Sequence, residues 1–160
     1  MTEPNLHYLN HKIDVSALQG VPESMLMTLY MRAVEAKHPE AVLRDDMAIE
    51  IMKHIDYDFA GKFKANSYPN IGIVVRSRLF DEAAQAIIDL HPQTAVVNLG
   101  VGLDTRFFRL QSNSELHWFE LDFPEVLDLR AKIIPPADAQ SHQYIGHDIR
   151  DFGWMAQIPY

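Results

Sequence analysis

The stretch Thr94 to Arg106, T-A-V-V-N-L-G-V-G-L-D-T-R, constrains the fold of this chain more than any other. Ala95 to Leu99 is a short run carrying two valines, bounded upstream by His91-Pro92. That is the pattern of a strand buried on both faces, with the preceding helix stopped by the proline. The run ends in Gly100-Val101-Gly102, and Asp104 follows where a helix would need its N-cap. Strand, glycine turn and helix start make the first turn of a nucleotide-binding α/β unit, because glycine lets backbone N–H groups approach a ligand with no Cβ in the way. The same residues also serve a plain tight βα turn, and here the two readings weigh equally. The full dinucleotide fingerprint fails, since Thr105 stands where its third glycine belongs.

Upstream, hydrophobic periodicity predicts three helices. From Ser24 to Lys37, Leu26, Leu29, Tyr30, Ala33 and Val34 share one stripe, with Arg32 and Glu35 off it. A second helix starts near Asp45-Asp46, acids suited to a helix N-terminus, and runs through Ala48, Ile51, Met52 and Ile55. Asp56 to Asn70, with Gly61 and Tyr68-Pro69-Asn70, reads as a loop. The third helix, about Ile71 to Leu90, would bury Val75, Leu79, Phe80, Ala83, Ala84 and Ile87. Residues 1–21 read as a loose arm, and the three helices as a cap beside a sheet. The expected division is an arm and helical cap over 1–93 and an α/β domain over 94–160.

Two polar features upstream have bland readings. His7 and His11 stand at the i, i+4 spacing of a helical metal pair, but no third ligand is near, so they read as surface histidines. Arg78 can pair with Asp81 or Glu82 as surface charges, or point a guanidinium at a ligand carboxylate; the residues alone favour the surface pair over any role for Arg76 or Arg78.

Downstream of the turn a short helix is expected over Thr105 to Leu110 and a second strand over Leu116 to Leu121. Asp122 stands 22 positions after Gly100, the offset at which an acid ending the second strand meets a ribose diol. Glu120, two residues earlier, points to the same face. Pro124 opens a helix to about Ile133, Pro135-Pro136 ends it, and a third strand at His142 to Gly146 leads into His147-Asp148-Ile149-Arg150-Asp151. Three strands with polar groups at their C-terminal ends line one crevice, which favours the cofactor reading.

Composition narrows the partners. The net charge of −8 over 160 residues disfavours binding to a phosphate backbone. The absence of cysteine removes disulfides and thiolate metal sites. No run approaches the ~18 apolar residues of a membrane span and the N-terminus lacks a signal-peptide pattern, so a cytosolic protein is expected.

The segments L-G-V-G-L-D-T-R-F-F-R-L, F-E-L-D-F-P-E-V and H-D-I-R-D resemble the leucine carboxyl methyltransferase family, and more closely its bacterial polyketide O-methyltransferase branch of the tetracenomycin type. L-Y-M-R-A-V-E-A-K-H-P-E-A-V-L-R-D-D and R-S-R-L-F-D-E resemble that branch too, so the likeness runs from about residue 24. It implies a Rossmann-like class I methyltransferase fold and the cofactor S-adenosylmethionine. Gly100 would line its methionine end, Asp122 would hold the ribose hydroxyls, Asp148 with Ile149 would flank the adenine, and Arg78 would grip the methionine carboxylate. Gly102 and Asp104 belong to the same loop, where Asp104 either meets the ammonium group or caps the helix. The family motif usually has alanine where this chain has Val101. No general base is identified. The acceptor would be a small-molecule hydroxyl or carboxylate.

Seven strands are expected of such a sheet and about three are present, so the chain reads as the first half of the enzyme. A catalytically inactive binding or regulatory fragment is therefore the alternative function, and the unpaired edge of the first strand is expected to drive self-association. A nicotinamide oxidoreductase is disfavoured by Thr105.

Overall fold

A computed structural model describes residues 12–15, 21–63, 69–110, 116–137 and 141–158. His7, His11 and most of the expected arm lie outside these residues. The chain forms two compact units, one of Met1–Ala86 with Leu103–Gln111, the other of Ile87–Gly102 with Ser112–Tyr160.

The first unit is mainly helical. Helix α1 (Val21–Glu35) buries Leu26, Leu29 and Ala33 as its spacing predicts. Arg32, expected off that stripe, is only 3% exposed, because its guanidinium meets a buried carboxylate. Helix α2 (Asp46–Lys53) is capped by Asp45, whose side chain accepts from the Ala48 N–H. The stretch expected to be a loop is more regular. It holds helix α3 (Phe59–Lys62), capped by Asp58, and follows a two-residue strand β2 (Ile55–Asp56) that pairs in parallel with β1 (Ile13–Asp14). Strands this short carry no periodicity to read.

Helix α4 (Pro69–Leu90) buries a different face from the one expected. Val74, Ser77, Asp81 and Ile88 are buried, whereas Val75, Leu79, Phe80, Ala83 and Ile87 are exposed. At 100° per residue, the buried set lies roughly 150° around the helix from the exposed one. Asp81 is held in ion pairs with Arg106 and Arg109, and that polar contact selects the buried face over apolar content. Helix α5 (Arg106–Arg109) completes the unit.

The second unit is a parallel sheet of order β3-β4-β5, made of β3 (Ala95–Leu99), β4 (His117–Asp122) and β5 (His142–Gly146). Helix α6 (Pro124–Ile133) connects β4 to β5 and begins with proline in the first turn, as expected. On one side of the sheet Phe119, Leu121 and Ile145 pack with Trp154 and Ile158, and Ala95 and Val97 join them. Trp154 comes from a short 3-10 helix, Phe152–Gln157, capped by Asp151. The expectation that β3 is buried on both faces is not met. Its residues are half-buried and Leu99 is 45% exposed, because β3 is the edge strand of this sheet among the described residues. The fold is α/β and Rossmann-like in its strand–helix succession.

Candidate functional site at the glycine turn

Parallel strands end their hydrogen bonding at the C-terminal side, and there β4 forms a mould for the glycine turn. Both glycines sit in the left-handed region, Gly100 at φ 65 and Gly102 at φ 47, where a Cβ is strained. The space around a Cβ at Gly100 is otherwise open to 4 Å. Conformation is therefore what demands glycine at 100, with room left beside it for a ligand. The Leu121 carbonyl accepts from the N–H groups of Gly100 (2.8 Å) and Val101 (3.2 Å). Asp122 Oδ2 accepts from Gly102 N–H at 2.8 Å, and its Oδ1 accepts from Phe123 N–H. Each oxygen of Asp122 retains a second lone pair, which is what a diol requires.

The opposite side of Gly102 is held as well. Its carbonyl accepts from Arg130 Nη1 at 3.0 Å, and Arg130 in turn pairs with Glu120 through Nε (2.7 Å) and Nη2 (2.6 Å). Both ion-pair side chains are fully buried. Glu120 and Asp122 share a face of β4, as the two-residue period dictates, and both act on Gly102, one through Arg130 and one directly. His142 on β5 stands 3.3 Å from Glu120 through Nε2, and its Nδ1 accepts from Ala137 N–H. The Arg130 guanidinium also lies 5.5 Å from the Tyr144 ring centroid.

Gly100, Gly102 and Asp122 are thus brought together within the second unit. The exit of β5 joins them, since His147 N–H donates to the Asp122 carbonyl at 2.9 Å, and Asp148 and Ile149 follow directly. The Asp148 carboxylate is gripped by the Arg150 side chain and also accepts from Arg150 N–H, which holds its pKa down to about 2. Ile149 is 39% exposed.

Arg78 and Asp104 belong to the first unit. Arg78 makes the surface pair, its Nε 2.6 Å from Glu82 on the same helix face, with a long contact to the Val42 carbonyl. Asp104 is not the N-cap. Thr105 occupies that position, and Asp104 reaches over it to accept from the N–H groups of Thr105 and Arg106 while pairing with Arg106 and Arg109. Sequence reasoning placed the cap one residue early because Asp104 does the same work from the preceding position.

The sequence reading missed the ions that hold these loops. In the first unit Asp45, Asp81 and Asp104 interleave with Arg32, Arg106 and Arg109. Burial opposes the charge on Arg109, but Asp104, Asp81 and Asp45 outweigh it and raise its pKa above the ordinary value. In the second unit Arg130 was overlooked, although it falls on the buried stripe of α6 between Val126 and Ile133. Glu120 likewise interrupts the apolar run Trp118-Phe119-Leu121. A charge on an apolar stripe, with an opposite charge on the neighbouring element, was the available signal.

A parallel α/β sheet with a glycine turn after its first strand and an acid ending the second defines a Rossmann-like nucleotide-type binding fold. The chain belongs to the leucine carboxyl methyltransferase family, whose model matches residues 25–158. It is 34% identical over 142 residues to the tetracenomycin polyketide synthesis O-methyltransferase TcmP of Streptomyces glaucescens, covering 89% of this chain and 52% of that protein. It is 27% identical over 148 residues to the S-adenosyl-L-methionine-dependent methyltransferase dpfgK of Gibberella zeae, covering 86% and 50%. A putative S-adenosyl-L-methionine-dependent methyltransferase of Mycolicibacterium gilvum is 30% identical over 137 residues, covering 75% and 45%. The chain spans about half the length of the curated relatives it matches. No helix among the described residues is long and apolar enough to cross a membrane.

Proposed function

We propose that this chain carries the S-adenosylmethionine-binding half of a methyltransferase acting on the oxygen of a small molecule, a polyketide-like hydroxyl or carboxylate. The observation that carries the reading is the glycine turn, held in its left-handed conformation beside Asp122, with open space at Gly100. The names of the relatives support both the cofactor and the polyketide-like acceptor. When bound, the cofactor supplies an electrophilic methyl group on a sulfonium, ready for in-line displacement. The protein's part is orientation and exclusion of water. In this reading Gly100 and Gly102 lie against the methionine end, Asp122 accepts from the ribose hydroxyls, and Asp148 with Ile149 flanks the adenine. Arg78 grips the carboxylate, for which it would leave Glu82. Asp104, already committed to two arginines, serves the loop rather than the ammonium group.

Titration calorimetry with S-adenosylmethionine, and with NAD as the competing cofactor, tests this. Binding of the first and not the second is expected. Asp122→Ala should weaken it by about 1–3 kcal/mol, the cost of lost charged hydrogen bonds. It should fall toward the upper end of that range, because Asp122 also holds Gly102. Unchanged affinity would remove the ribose role.

The edge of β3 favours a second property. β3 stands at the edge of its three-stranded sheet among the described residues. Such edges recruit other chains. The chain is therefore expected to self-associate through that edge. Light scattering checks this; a stable monomer would refute it.

A further inference from the structure

We infer that Arg130 is a positioning residue for the cofactor turn, acting through the Gly102 carbonyl; this deepens the proposed function and rests on it for the cofactor. Three neighbouring residues of β4 set the turn: Leu121 by its carbonyl, Asp122 by its carboxylate, and Glu120 only through Arg130. A glycine in the left-handed region has wide conformational freedom, so its peptide planes must be fixed by partners. Asp122 fixes the N–H side of Gly102 and Arg130 fixes its C=O side. Removing either bond frees one plane and blurs the surface against which a ligand lies.

A planar guanidinium is required for this task. Arg130 donates from Nε to Glu120 and from Nη1 to the Gly102 carbonyl, so two donors of one rigid fork serve two acceptors, with Nη2 in ion-pair contact with the same Glu120 oxygen. A lysine ammonium at that site meets Glu120 or Gly102 but does not reproduce the fork. Tyr144 packs on the same guanidinium, yet its hydroxyl donates to the Ile134 carbonyl and not to the turn. Its loss therefore perturbs the same core without touching Gly102.

The test compares Arg130→Lys and Tyr144→Phe with wild type by hydrogen exchange read by mass spectrometry, and by S-adenosylmethionine calorimetry. In Arg130→Lys, exchange over Gly100 to Asp104 should rise at least tenfold while β5 and α6 keep wild-type protection. Cofactor affinity should fall at least tenfold. Tyr144→Phe should leave the turn's exchange unchanged. Should Arg130→Lys fail to fold, the neutral pair Glu120→Gln with Arg130→Met buries no unpaired charge and should give the same localised deprotection. Unchanged exchange at the turn, or a rise shared equally by β5 and α6, would overturn the positioning role. So would wild-type affinity in a variant whose turn has loosened. If wild type binds no S-adenosylmethionine while the turn still loosens selectively, the cofactor reading fails and Arg130 remains the residue that sets the turn.

Discussion

Replacing Asp45 with alanine should destabilise the first unit by about 3–5 kcal/mol, the usual cost of breaking a buried ion pair from one side. The Asp45 side chain is fully buried and serves four donors. Oδ1 accepts from Ala48 N–H and the Thr105 hydroxyl, and Oδ2 accepts from Arg32 Nε and Arg109 Nη1. Truncation leaves two buried guanidinium groups short of a partner. Arg109 keeps Asp81 and Asp104, whereas Arg32 keeps the hydrogen bond from its Nη2 to the Leu103 carbonyl. The loss at Arg32 therefore dominates. Asp45→Asn retains an acceptor for the cap and should recover about 1 kcal/mol of the loss. The contrast is Glu50→Ala. Glu50 pairs with Lys53 at 2.5 Å, but the two side chains are 50% and 59% exposed, so that substitution should cost at most about 0.5 kcal/mol. Urea unfolding of the three variants measures all of this, and equal midpoints for Asp45→Ala and Glu50→Ala would refute the buried lattice.

The second large effect is expected at Glu120→Ala, again about 3–5 kcal/mol, now in the sheet unit. Glu120 neutralises Arg130 in a site where both side chains are fully buried, and His142 adds no compensating negative charge. The lone Arg130 charge is what makes the single substitution costly. Removing both charges, as in Glu120→Gln with Arg130→Met, should recover most of the loss. Urea unfolding followed by the fluorescence of Trp118 and Trp154, both in this unit, reads the result. A double variant no more stable than Glu120→Ala would mean that packing rather than charge governs the site.

These two sites mark where reading the sequence stopped short. The strands, the glycine turn, the start of α6 at Pro124 and the acid at Asp122 were legible because each is a local pattern: an apolar run, a left-handed position, a fixed φ, a fixed offset. Arg32 and α4 were misread for the opposite reason. Arg32 owes its burial to Asp45, 13 residues on, and to Leu103, 71 residues on. Asp81 rotates α4 toward Arg106 and Arg109, 25 and 28 residues on. Periodicity ranks residues by hydrophobicity along one element and is blind to a charge whose partner is distant. An unpaired edge on β3 was expected because only about three of seven strands are present, yet its half-exposed side chains contradict the apolar run, since a run cannot tell an edge strand from a central one.

The passage of the chain from one compact unit to the other between Gly102 and Leu103 has a consequence for the order in which a ribosome delivers the parts. Asp45 emerges 60 residues before Thr105, its hydroxyl partner. At ~5–20 residues per second, synthesis holds that carboxylate waiting for roughly 3–12 seconds. During that interval the Asp45 carboxylate has Arg32 available but lacks Thr105 and Arg109. Strand β3 and the glycine turn are made before the last arginine arrives. The helical unit therefore closes late in translation, on a segment that reaches it only after part of the sheet has been spun out.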